Sequence, residues 1–450
     1  MDKDQTSMSK VNLEDVIARC QEAVAKNPRN VAAQHDMGVA YLQKGEHDRA
    51  IEQFVKVVEL DKKNTSAHYL MGIAYAEKGQ WDQAVDEWKI VVKLDPRHAG
   101  ARLNLGKVYT IKQMWDAAIF ELKKCIEIEP RNSEVLAQLY LGEVYMARHE
   151  YDKAIEILEQ AAFINPNKAA VHIDLGVAYL NRGKFQESIF ASRKALSLGE
   201  DTAKVHCNIG LAYLASGEPD SAMAEFREAI EADENSTQAY VLLGESLAVS
   251  GDVDAAIKAW RKALEINPKE WDATYNIGLA TATKGMLDDA IKIWRDLLQA
   301  NPLYLDAKLR IATALAMQGK DDEAIAEWES LRKLDANQPA PYINIGEIEL
   351  RRGRADAAAA ELNKALEVSP NDSYALLRLA LVSLVKGNAG AAISQLKQAK
   401  AGDPNIVARD ALVLRAVVTP SLAKRLEAAA GRDREAVDLV KSINGMLAKK

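Results

Sequence analysis

The chain has 450 residues, with 58 Lys and Arg against 65 Asp and Glu, a formal net charge of -7 and a pI near 5.7. An acidic balance of this kind lacks the surplus of basic side chains that phosphate neutralisation requires, so no nucleic-acid partner is expected. Apolar residues at 48% and charged residues at 27% argue for a folded chain and against disorder.

In chain order, residues 1–11 are polar and carry no apolar run, and read as a disordered N-terminus without a signal peptide. Residues 12–30, closing on Ala25-Lys26-Asn27-Pro28, read as a half-repeat helix that shields the apolar side of the next helix pair. No window reaches the ~20 apolar residues that a bilayer crossing needs, so no membrane span is expected. Three scattered cysteines, Cys20, Cys125 and Cys207, fit a reducing, cytoplasmic compartment.

From Val31 the chain repeats. A glycine behind an apolar residue recurs at Gly38, Gly72, Gly106, Gly142, Gly176, Gly210, Gly244, Gly278 and Gly346, with Ala312 and Ala380 filling the two vacant places. Every step is 34 residues except the 36 from Gly106 to Gly142. That period gives two helices per unit and eleven units over residues 31–406. The fold class is therefore all-α: helix formers dominate, and each helix pair must bury its apolar side against the next.

Other columns hold the register. An alanine follows each small residue by twelve positions in ten of the eleven units, which allows close helix approach. Glycines such as Gly45, Gly79 and Gly183 stand where a left-handed residue ends the first helix. Acids such as Asp48, Asp82 and Asp116 stand where they can cap or face the N-terminus of the second. Tyrosines three past the glycine in units one to six (Tyr41 to Tyr213), and Trp88, Trp260, Trp294 and Trp328 in second helices, read as core. After Pro404 the period decays, and residues 407–450 read as capping helices broken at Pro420 and Gly431; self-association through this tail is the alternative.

Gly210, Tyr213, Ala222, Phe226 and Ala229 fall on the signature spacing of the tetratricopeptide repeat (TPR) family, and the chain resembles that family over about 376 residues. The resemblance implies an α-solenoid, a right-handed superhelix of stacked antiparallel helix pairs with the first helices lining a concave groove. It also implies that the residue two before each small position looks inward. That column includes Asp36, Asn104, Asp174, Asn208, Asn276, Arg310 and Asn344. Its four asparagines resemble the asparagine ladder of the O-linked N-acetylglucosamine transferase repeats, where an amide both donates to and accepts from a bound backbone. The alternative is that asparagine simply suits a solvated groove. The neighbouring columns add Tyr69, Tyr275 and Lys107. With only Lys107 and the distant Arg310 and Arg378 as cations there, the lysine-rich clamp of chaperone-binding relatives is not expected.

No constellation for catalysis stands out. His68, His172 and His206 share a column usually filled by large contact residues, so satisfied core histidines are expected rather than ligands. Cys207 and His206 are helix neighbours that point to different faces. Catalytic residues, metal ligands and cofactors are all read as none. The expected function is a non-catalytic scaffold that holds a protein partner's extended or helical segment in the groove. The alternative is a structural subunit that tiles an enzyme complex, or itself, through its ends and convex face.

Overall fold

The computed structural model describes residues 12–132, 135–200, 202–410, 414 and 417–447. The reading of residues 1–11, and part of the irregular segment around Ser133, lie outside these. Among the described residues there are 26 helices and no strand. Helix α1 (Leu13–Lys26) precedes the pairs α2 (Val31–Gln43) with α3 (His47–Leu60), α4 (Thr65–Glu77) with α5 (Trp81–Leu94), and α6 (Ala99–Ile111) with α7 (Trp115–Ile128). Next come α8 (Leu136–Ala147) with α9 (Tyr151–Ile164), α10 (Ala169–Arg182) with α11 (Phe185–Ser197), and α12 (Ala203–Ala215) with α13 (Pro219–Ala232).

The chain divides into two compact units, Met1–Ser246 and Leu247–Lys450, and the division falls inside α14 (Thr237–Val249). The second unit continues with α15 (Val253–Ile266), then α16 (Trp271–Thr283) with α17 (Leu287–Ala300) and α18 (Leu305–Met317) with α19 (Asp321–Leu334). It ends with α20 (Pro339–Arg351) with α21 (Ala355–Val368), α22 (Ser373–Val385) with α23 (Ala389–Gly402), and the tail helices α24 (Ile406–Arg409), α25 (Pro420–Ala430) and α26 (Arg434–Leu447). Within each unit successive helices pack antiparallel on their neighbours.

Local chemistry sets the helix ends. Asn30 and Asn64 cap α2 and α4 by accepting from the amides of Ala33 and Ala67. Gly45 and Gly79 end the same helices in the left-handed region, at φ +74° and +73°. In the two units where that glycine is missing, Gln113 and His149 take the same conformation at φ 57° and 59°. The backbone geometry persists although the residue suited to it is absent.

The small column does more than admit the alanine twelve positions on. It faces the side chain sixteen positions on: a Cβ at Gly38 would lie 2.7 Å from the Phe54 ring, and one at Gly210 would lie 2.4 Å from Phe226. Phe54 and Phe226 are fully buried, so each of these repeats in the first unit is centred on a large side chain laid over a bare backbone.

The acids of this column face the N-terminus of the second helix from its first turn rather than capping it. Asp48 is the second residue of α3, whose N-cap makes no side-chain bond, and its carboxylate reaches Lys78 at the end of the next first helix. The same step of 30 residues pairs Asp82 with Lys112, Asp152 with Arg182 at 2.6 Å, Asp254 with Lys284 at 2.7 Å and Asp356 with Lys386 at 2.6 Å. These carboxylates are exposed, so each pair contributes little alone and the column acts as a register mark between repeats.

The tail packs on the last repeat. Leu426, Leu439, Val440 and Ile443 are buried in one cluster with Leu396 and Ala399 of α23. Pro420 opens α25 at its first turn, where a missing N–H costs nothing, and so begins a helix. Arg378 of α22 is buried between Glu347, at 2.9 Å, and Asp410 at the end of α24.

Candidate functional site

Each residue of the column expected to face inward stands on a first helix two positions before the small packing residue, glycine in every case but Arg310 and Arg378, which precede Ala312 and Ala380. In the first unit Asp36 is exposed beside His35, at 3.5 Å. Asn104 is half-buried and shares a hydrogen bond with the hydroxyl of Tyr69, one repeat back. Lys107 is exposed.

Asp174 is half-buried, and burial pushes its carboxyl up to about 6; Glu143 adds to that rise and Lys204 opposes it. Asn208 follows Lys204 by four residues on α12, hence on the same face. It is 9% exposed, and its amide Nδ2 has no acceptor among the described residues. A buried donor without a partner costs roughly 1–3 kcal/mol, which a ligand carbonyl would recover.

In the second unit Asn276 and Asn344 are half-buried. Arg310 is exposed and donates from Nε to the Tyr275 hydroxyl at 2.9 Å, repeating the Tyr69–Asn104 link. The Tyr275 ring packs on Tyr304, with centroids 5.4 Å apart. Two adjoining cavities open between first helices here, of about 230 and 200 Å³, and share Thr313 and Met317. Arg310 lines one and Asn344 the other.

The sequence matches profiles described as TPR repeat over residues 38–79 and tetratricopeptide repeat over 275–339 and 343–405. It also matches the cilia and flagella-associated protein 70 C-terminal domain over 70–275. The chain is a tetratricopeptide repeat protein. Yeast Tom70 shares its fold, with a TM-score of 0.50 and 15% identity over 90% of this chain and 98% of that one. Cut9, in the APC/C hetero-tetramer Cut9-Hcn1, is 16% identical over 90% of this chain and 94% of its own, with a TM-score of 0.43. MamA is 29% identical over 39% of this chain and 96% of its own, with a TM-score of 0.36. No curated protein matches the sequence. TPR repeat proteins are in general protein-interaction scaffolds, and this chain shares their all-α solenoid fold.

The remaining TPR columns serve the scaffold. His68 bonds Glu87 at 2.6 Å and His206 bonds Glu225 at 2.8 Å, each joining the two helices of a pair. His172 contacts the Pro166 carbonyl oxygen at 2.8 Å. Arg102 occupies the same column and reaches Glu121 at 2.6 Å. Burial raises the Cys125 and Cys207 thiols to about 11. Among the described residues no three His, Cys, Asp or Glu side chains stand close enough to hold a metal ion, and no helix is long and apolar enough to cross a membrane.

Sequence reasoning missed the outer side of the first unit. Phe120, Phe163 and Phe190 are exposed on α7, α9 and α11; Phe163, 88% exposed, lines a cleft of about 830 Å³ with Pro130, Arg131, Glu156, Glu159 and Ile164. The signal was present: Phe120 and Phe190 share a column that is polar or small in every other repeat.

Proposed function

We propose that this TPR protein is a non-catalytic scaffold that holds an extended segment of a protein partner along its first helices and so assembles a multiprotein complex. Asn208 carries the reading. A buried amide N–H with no acceptor stands in the inward column, where a bound backbone would present carbonyls. Asn104, Asn276 and Asn344 extend that column, and Asp174 offers an acceptor to a backbone N–H. A cytoplasmic site of action belongs to the same proposal and is supported by three cysteines that form no disulfide.

The test is affinity. A partner recovered from the native cell and then purified should bind the triple variant Asn208→Ala, Asn276→Ala, Asn344→Ala at least ten-fold more weakly, since each bond contributes about 0.5–1.5 kcal/mol. Unchanged affinity overturns the ladder.

A second reading rests on the exposed phenylalanines. Attachment through the outer helices would cover Phe120, Phe163 and Phe190, and large exposed apolar groups usually mark contact surfaces. Changing all three to serine should dissolve a tiled assembly while leaving groove binding intact.

A further inference from the structure

The last repeat differs from the others on its first helix. Three adjoining columns matter: the one expected to face inward, the position before it, and the position after the small residue. The last of these runs from Val39 to Glu347 without a buried member. Helix α22 breaks the pattern by burying all three, with Leu377 at 0%, Arg378 at 6% and Leu381 at 2% exposure. Among the described residues no other first helix does so. Repeats eight to ten, in the same unit, are each followed by a further repeat and still keep Leu279, Thr313 and Glu347 partly open. A cap that only stood in for one more repeat would therefore leave this side of α22 open too.

The chain beyond Pro404 supplies the extra cover. Helices α24 and α25 both pack on α22. Ile406, Val407, Leu414 and Val418 are buried in one cluster with Leu377 and Leu381. Asp410 follows Ile406 by four residues, hence on the same side of that turn, and pairs with Arg378. These are the contacts expected of a partner segment: apolar side chains on the flanking columns and a polar group on the column residue itself. The charge count shows how firmly the segment is held. Glu347, at 2.9 Å, already neutralises the buried guanidinium, so Asp410 is a second carboxylate on one cation. Repulsion between the two acids offsets part of the attraction, and another carboxylate can take the place of Asp410.

We propose that residues 405–410 are a built-in occupant of the partner surface, which close it at the last repeat and give way to a partner segment carrying an apolar residue followed four positions later by an acid. The assignment rests on the scaffold reading and adds to it the chemistry that α22 selects.

The probe is a fluorescein-labelled peptide of residues 402–418, titrated into the full chain and read by anisotropy. Tethered in cis, the tail acts at an effective concentration on the order of millimolar, so the peptide at micromolar concentration should not bind the parent measurably. Asp410→Asn in the full chain keeps the size of the side chain and removes its charge, and should bind the peptide at least ten-fold more tightly than the parent does. A peptide carrying Asp410→Asn should bind that variant at least ten-fold more weakly, and adding Arg378→Met to the chain should erase the difference between the two peptides. Thiol labelling reads the cover without any peptide. Leu381→Cys should react with a soluble disulfide reagent at least ten-fold more slowly than Leu279→Cys, and Asp410→Asn should close most of that gap. No peptide binding to the Asp410→Asn chain, equal affinity for it and the parent, equal affinity of the two peptides, or equal reactivity of the two thiols overturns the proposal. None of these measurements alters Asn208, Asn276 or Asn344, so a failure here leaves the scaffold reading to the test of the triple variant.

Discussion

Trp294 donates its indole N–H to the carbonyl oxygen of Tyr275, and the 3.1 Å bond passes over Gly278, where a methyl group would sit 2.2 Å from the donor nitrogen. Most glycines of this column are thus seats for large second-helix side chains; Gly176, which faces Ser192, is an exception.

Gly278→Ala tests that relationship directly. Helix propensity favours alanine by about 1 kcal/mol, but overpacking opposes it by about 1–3 kcal/mol and breaks the indole bond as well. Net destabilisation is the expected sign. Urea unfolding followed through Trp294 fluorescence should show an earlier transition; a later one would mean that the indole moves aside at little cost.

Gln113 occupies the opposite situation. It holds φ 57° where nine of the eleven repeats place glycine, and the left-handed conformation costs a side chain about 1–2 kcal/mol. Gln113→Gly should stabilise the first unit by up to ~1 kcal/mol after the added chain entropy is counted. Gly79→Gln, at φ +73°, should do the reverse. Thermal unfolding of both variants beside the parent checks the pair of signs.

These two positions also show how much was legible in the sequence. A 34-residue period fixes helix number and offset together, so the helix ends could be read from the chain alone, whereas the inward direction of one column came only from the resemblance to the TPR family. Partners that lie beyond one repeat were harder. Asp48 stands in the first turn of its own helix and faces its N-terminus, as the column implied, but its ion-pair partner, Lys78, stands in the next repeat. Trp328 looked like core and is core, yet its indole N–H has no partner among the described residues, and it stands opposite Ala312 where Trp294 stands opposite Gly278, a difference that a pattern of small residues does not register. Phe163 escaped because apolar character alone does not say which side of a helix remains uncovered.

Asp174 should leave a mark on pH dependence. Its carboxyl titrates near 6 in the folded chain against about 3.9 when unfolded. The folded state therefore holds the extra proton between those values, and stability falls as pH rises from about 4 to 6. At pH 7 the buried charge costs roughly 1–3 kcal/mol. Asp174→Asn should stabilise by that order at pH 7 and give no gain below pH 4. Urea midpoints across pH 4 to 8 read the difference, and a gain independent of pH would assign it to packing instead.

The cysteines separate by burial. Cys125 and Cys207 are buried with thiols raised to about 11, so almost no thiolate is present at neutral pH, while Cys20 is only partly covered. At pH 7.5 a soluble disulfide reagent should label Cys20 first, and the other two only as urea opens the repeats. Rapid labelling of all three in native conditions would show that the repeats around Cys125 and Cys207 breathe far more than their packing implies.

Arg378 ties the tail to the array, and its removal distinguishes a docked cap from a loosely attached one. The guanidinium is buried with Glu347 and Asp410 on either side. Replacing it with methionine keeps most of the apolar stem but leaves two carboxylates facing each other without a cation. Breaking a buried pair in this way costs about 3–5 kcal/mol, of which protonation of one acid recovers part at low pH. The apolar contacts of Leu439, Val440 and Ile443 remain, so the tail should loosen without leaving altogether. Limited proteolysis should then cut Arg378→Met between α23 and α25 well before the parent, and acidification should slow that cut. Equal cleavage rates would mean that apolar burial alone seats the tail and that the arginine serves the groove.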